Sequence, residues 1–144
     1  MLNDVVTGIS IRLHEIFGDT HKIYTENVEQ GLTAPCFFIK TLPTIHKPLL
    51  GKRSQRTYSF VISYFPKEGN EEMMNVSEQL LDGLEYITLL SGEMIRGRSL
   101  EAEIVDDVLH FSVNYIVFVN NHVREESMGT LSSDVGTKGV VNGN

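Results

Sequence analysis

A chain of 144 residues is long enough for one domain with a real core, and its composition, 41% hydrophobic and 22% charged, is that of an ordinary globular protein. A net charge of −7 and an isoelectric point near 5.1 disfavour a general nucleic-acid binder, which needs clustered positive charge to replace counterions on phosphates. No basic segment leads into an apolar run at the N-terminus, and no stretch approaches the roughly 18 apolar residues of a membrane span, so a soluble cytoplasmic product is expected.

Leu2, Val5, Val6, Ile9, Leu13, Ile16 and Phe17 recur at helical spacing and predict an amphipathic helix over residues 3–17, capped by Asn3 and ended by Gly18. Residues 19–22 are expected to turn. Residues 23–28 read as a short strand, 29–35 as a loop, and 36–42 as a second strand closed by Pro43. Cys36, the lone cysteine, falls in that apolar run. It has no intramolecular disulfide partner and no basic neighbour in sequence, so it is expected to be a small core residue.

Residues 46–56 hold the one basic cluster: Lys47, Lys52, Arg53 and Arg56. Pro48 and Gly51 argue for an extended arm or long loop there, either solvated or in contact with an acidic partner. Gly51-Lys52 hints at a phosphate loop, but the upstream glycine that motif needs is His46. Residues 57–65 form a third strand, with Tyr58, Phe60, Ile62 and Tyr64 on the core face and Ser59 and Ser63 pointing away.

A second helix is predicted over residues 70–87, capped by Asn70, with Glu71 and Glu72 in its first turn. Met73, Val76, Leu80, Leu84 and Ile87 make its buried stripe. Met73 and Met74 are expected to fill gaps, and Gly83 is tolerable in the interior only if close packing requires it. Residues 93–98 and 100–105 read as a fourth and a fifth strand.

The longest β-type run, residues 108–119, alternates strictly: Leu109, Phe111, Val113, Tyr115, Val117 and Val119 share one face. Its last four residues are apolar on both faces, so cover on both sides is expected there. A two-residue turn at Asp106-Asp107 would pair Ile104 with Leu109, Ala102 with Phe111, and Leu100 with Val113, and on the other face Glu103 with His110 and Glu101 with Ser112. Residues 123–144, rich in glycine, serine and threonine without apolar period, are expected to be a flexible tail.

The order α-β-β-β-α-β-β-β predicts an α+β domain over residues 1–122, a mostly antiparallel sheet with both helices on one face. Catalytic signals are absent from the sequence. The five histidines, His14, His21, His46, His110 and His122, have no metal-site spacing, and no nucleophile-elbow, Walker or dinucleotide motif occurs. Asp106-Asp107 reads as a solvated turn. No catalytic, cofactor or metal residue is assigned.

The runs Ile23-Tyr-Thr-Glu-Asn-Val-Glu-Gln-Gly-Leu32, Pro35-Cys-Phe-Phe-Ile39 and Val108-Leu-His-Phe-Ser-Val-Asn-Tyr115, with the element order across residues 1–122, resemble the tail terminator proteins of tailed bacteriophages and prophages, especially those of phage-like elements in Firmicutes. The resemblance implies a non-catalytic structural protein, without cofactor, that forms a homo-hexameric ring on the head-proximal end of the tail tube. Such a ring ends tube growth and offers the surface to which a head-completion or connector protein joins. DNA would pass through without specific binding, and the protein would reside in the virion tail after assembly in the host cytoplasm. On that reading Lys47, Lys52, Arg53 and Arg56 are a candidate interface arm, and Phe118 a candidate subunit contact. The alternative is a small cytoplasmic α+β binding module or enzyme of unknown ligand, which genomic neighbours and oligomeric state would discriminate.

Overall fold

A computed structural model describes residues 1–25 and 31–120. Part of the expected strand at 23–28 and the whole expected tail at 123–144 fall outside the described residues. The elements are α1 (Leu2–Phe17), β1 (Lys22–Tyr24), β2 (Cys36–Thr41), β3 (Ile45–Pro48), β4 (Arg53–Phe65), α2 (Asn70–Gly83), β5 (Tyr86–Thr88), β6 (Met94–Val105) and β7 (Val108–Asn120). The fold is α+β, with two helices and a mostly antiparallel seven-stranded sheet among the described residues, and each helix precedes a block of strands as the periodicities require.

The sheet runs β1-β2-β4-β7-β6-β5, with β3 paired to β4 off this path. β7 is therefore an interior strand, and its alternation shows it: Leu109, Phe111, Val113, Tyr115 and Val117 are buried, while His110, Ser112, Asn114 and Ile116 stay partly exposed. The end of β7 departs from expectation. Ile116 is half-buried but Phe118 is 55% exposed, so among the described residues the second face of the apolar run is only partly covered.

The β6–β7 hairpin forms around Asp106 and Asp107, whose φ angles of 52° and 62° give the mirror-image turn that matches strand twist. Ile104 faces Leu109, Glu103 faces His110, Ala102 faces Phe111 and Glu101 faces Ser112, as the pattern predicts. The expected Leu100–Val113 pair is lost. Arg98 faces Asn114 and Glu101 faces Ser112, so Ser99 and Leu100 together oppose Val113 in a bulge, with Ser99 at a φ of 56°. The two strands expected over 93–98 and 100–105 are one strand, bent there.

Both helices lie on one face of the sheet. Val5, Ile9 and Leu13 of α1 and Met73, Val76 and Leu80 of α2 are buried against the inward residues Phe37, Ile39, Phe60, Ile62, Phe111 and Tyr115 of the strands. Fully burying one such side chain is worth about 1.5–3 kcal/mol. Cys36, which precedes Phe37 in β2, is buried as a free thiol.

Neither expected asparagine cap forms. α1 begins at Leu2, which places Asn3 inside the helix, and the cap position of α2 is Gly69, with no side-chain cap at either end. Glu72 holds the entry to α2 instead, accepting the backbone N–H groups of Lys67 at 3.2 Å and Glu68 at 2.6 Å. α2 also stops short of 87. Leu84 is its C-cap, and Ile87, on the predicted helical stripe, is buried as the centre of β5. Gly83 closes the helix where it meets α1: an added Cβ would land on Ile16 Cδ1, and the Arg12 Nε donates to the Gly83 carbonyl at 2.9 Å. The Tyr115 hydroxyl donates to the Leu84 carbonyl at 2.7 Å, tying the end of α2 to β7.

Residues Met1–Ile45 and Thr57–Ile116 form one compact unit. His46–Arg56 and the end of β7 from Val117 form another.

Candidate functional site

The basic cluster is a β-hairpin, not an irregular loop. Pro48 ends β3 rather than preventing it, since an edge strand does not need that residue's N–H. Gly51 takes the left-handed φ of 74° that the turn requires, and the Leu49 N–H donates to the Arg53 carbonyl at 2.9 Å to close it. Every residue of β3 is exposed. Lys47, Lys52 and Arg53 are exposed, and Arg56 is half-buried with its Nε donating to His46 Nδ1 at 3.2 Å. Leu50, at the tip, is 96% exposed.

The end of β7 joins this cluster. The Arg53 guanidinium sits 5.2 Å from the centre of the Phe118 ring, a cation–π contact worth about 0.5–1 kcal/mol at an exposed site. Two residues singled out separately in the sequence are thus neighbours. No periodicity links positions 53 and 118, so sequence reading had no means to join them.

A second surface escaped sequence reading. Helix α2 carries four carboxylates, Glu71, Glu72, Glu78 and Asp82, and no basic residue. Glu71, Glu78 and Asp82 are exposed, and between them Met74 (55% exposed) and Leu81 (38%) face outward. Met73 fills the core as expected, but Met74 does not. The signal was present: Met74 and Leu81 each fall one position past the stripe of Met73 and Leu80. Together with Ala102, Ile104 and Leu109 they border a shallow groove of about 300 Å³ that also holds Glu78.

Another groove, of about 480 Å³, lies between α1 and β5, with Ile11, Tyr86, Leu90 and Met94 exposed along it. Its one lining cation and one lining carboxylate neutralise each other: Arg12 pairs with Glu15 at 3.2 Å.

The polar clusters among the described residues serve turns and strand contacts. The described residues contain no group of three or more metal-ligating side chains. Ser63 Oγ lies 3.2 Å from His110 Nδ1, and Glu103 pairs across from His110, a combination that superficially suggests an activated serine. A nucleophile also needs donors for a developing oxyanion. Ser63 and His110 sit within interior strands, where backbone N–H groups serve the sheet ladder.

A groove of about 510 Å³ is lined by Phe17, His21, Tyr64 and Glu72 among others. There the Tyr64 hydroxyl donates to Glu72. Desolvation pushes the Glu72 carboxyl upward, but the hydrogen bonds from Tyr64 and from the backbone of Glu68, Lys67 and Gly69 outweigh it, and its pKa falls below the ordinary carboxylate value. Burial first, and then Glu72, raise Tyr64 well above the usual phenol range. The pair is a neutral phenol bound to a carboxylate, which secures the turn into α2. Burial likewise raises Cys36, which keeps it a thiol and not a thiolate nucleophile. No helix among the described residues is long and apolar enough to cross a membrane.

An α+β domain whose polar pairs serve turns and strand contacts, and whose outstanding features are exposed apolar residues set among segregated charges, has surfaces suited to contact with other proteins. A family model described as phage tail terminator protein matches residues 4–127, and the chain belongs to that family. The match overlaps all but the first three residues of the stretch 1–122 and extends five residues past it. No curated protein matches the chain. The protein is a structural component of the phage tail, and its place is the virion tail.

Proposed function

We propose that this protein caps the head-proximal end of the tail tube as a hexameric ring, stops tube growth there, and presents the surface to which a head-completion or connector protein attaches. Residues 1–122 act as the single terminator domain. The observation that carries the reading is the exposed basic hairpin on a chain of this family. Lys47, Lys52, Arg53 and Arg56, with Leu50 at the tip and Phe118 beneath Arg53, form a contact arm for a protein neighbour. Membership of the tail terminator family supports the place in the tail, and the net charge of −7 suits a ring that DNA traverses without being gripped.

The test is genetic and visual. Deleting the protein should give overlong or headless tails under negative-stain microscopy. Reversing Lys52, Arg53 and Arg56 together should reproduce that defect while the protein stays folded. Normal-length tails joined to heads in the triple variant would remove the hairpin from the interface.

A further inference from the structure

We infer that the basic hairpin of one copy docks, tip first, onto the acidic groove between α2 and the β6–β7 hairpin of a second copy. The inference rests on the ring reading and supplies the contact that closes the ring. Three observations carry it.

The first is charge. Residues 41–67 contain no Asp or Glu, and the hairpin within them concentrates four cations. Helix α2 contains four carboxylates and no cation, and three of these carboxylates are exposed. Opposite potentials on two faces steer encounter and set register.

The second is apolar fit. Leu50 is 96% exposed at the tip of a closed hairpin and offers a knob of apolar surface. The groove floor offers Met74, Leu81, Ala102 and Ile104, with Met74 and Leu81 themselves exposed. Methionine and leucine give such a groove an adaptable apolar lining. Among the described residues, Leu50, Met74 and Leu81 all stay exposed.

The third is the rival groove between α1 and β5. It is also apolar, but its one lining carboxylate, Glu15, is already paired with Arg12. It therefore offers a basic arm no net attraction. A knob on one copy entering a groove on the next is a heterologous contact, the kind that generates closed rings when the rotation allows.

Cysteine mapping tests the contact on the full chain. Native Cys36 is buried, so introduced thiols report alone. A disulfide requires the two Cβ atoms to approach within roughly 4.5 Å. Leu50→Cys and Leu81→Cys proteins, mixed under mild oxidation, are expected to gain a linked dimer on a non-reducing gel. That dimer should be lost when either variant is used alone, when Leu90→Cys replaces Leu81→Cys, and when high salt screens the charges. A link from Leu50→Cys to Leu90→Cys of equal yield, a self-link of Leu50→Cys, or no link in any mixture overturns the inference. Tail length in the deletion strain judges the ring reading separately, so a ring held by another contact would survive a negative result here.

Discussion

Glu72 is the residue whose removal gives the clearest energetic prediction. Its carboxylate accepts the Tyr64 hydroxyl and the backbone N–H groups of Lys67 and Glu68. A hydrogen bond to a charged group contributes about 1.5–3 kcal/mol net, and less where water replaces the lost partner. The two backbone donors are exposed, so water recovers most of their share. Tyr64 is buried, and its hydroxyl loses its acceptor. Glu72→Ala should therefore lower the unfolding free energy by about 2 kcal/mol at neutral pH, most of it from the tyrosine. Urea unfolding followed by circular dichroism measures this, and the m value should not change.

The pH dependence has a definite sign. The folded carboxyl titrates below its unfolded value of about 4.3, so the unfolded chain binds more protons between the two. The Glu72 contribution is then complete above the unfolded pKa and is lost as pH falls through the folded one. Glu72→Gln, which cannot ionise, should flatten that part of the acid limb. A loss below about 0.5 kcal/mol, the range of an inert surface change, together with an unchanged acid limb in the glutamine variant, would refute the account.

Three further substitutions probe separate contacts. Tyr115→Phe leaves the Leu84 carbonyl without its 2.7 Å donor in a buried site and should cost about 1–3 kcal/mol by the same unfolding assay. Gly83→Ala drives a methyl onto Ile16 and should lower the melting temperature through an overpacking cost of about 1–3 kcal/mol, with Ile16→Val restoring part of it. Phe118→Asp removes a ring that is 55% exposed and its contact with Arg53, so it should change stability by no more than about 1 kcal/mol. Tube capping should nevertheless fail in microscopy of the variant tails, and a collapse of folding instead would place Phe118 in the core.

What the sequence revealed was periodicity. The stripe of α1, the core faces of β4 and β7, and the Asp106-Asp107 hairpin were all legible, because each is a local repeat of apolar positions. The errors arose where tertiary contacts overrode the local pattern. Ile87 extends the α2 stripe by arithmetic, yet Leu84 ends the helix and the Tyr115 hydroxyl claims its carbonyl, so Ile87 enters a strand. The bulge at Ser99 inserts one residue and breaks a pairing that strict alternation demanded. Asn3 and Asn70 have the right chemistry for caps, but Glu72 reaches the turn from within the helix. The candidate site was half legible. Its cations stand in one stretch of sequence, whereas Phe118 beside Arg53 depends on strand pairing. The acidic groove is assembled from α2, β6 and β7, and no single segment announces it.

Charge segregation constrains how copies of this chain can meet. Within His46–Arg56 there are four cations and no carboxylate, leaving 8 cations (12 less 4) against 19 carboxylates elsewhere, a net of −11 outside a segment of +4. A two-fold dimer through the hairpin would set like cations against each other, and one through α2 would oppose Glu78 and Asp82 to their own copies. Like-charge contacts across an interface cost free energy and suppress the wrong pairing. Contact of hairpin with α2 escapes both penalties, and because the two patches differ, each copy that docks leaves one of each unsatisfied. Such an interface adds subunits in one rotational sense, and closes a ring where the rotation brings the first and last together. In a tail terminator, the tube end would supply the template that fixes how many copies complete the circle.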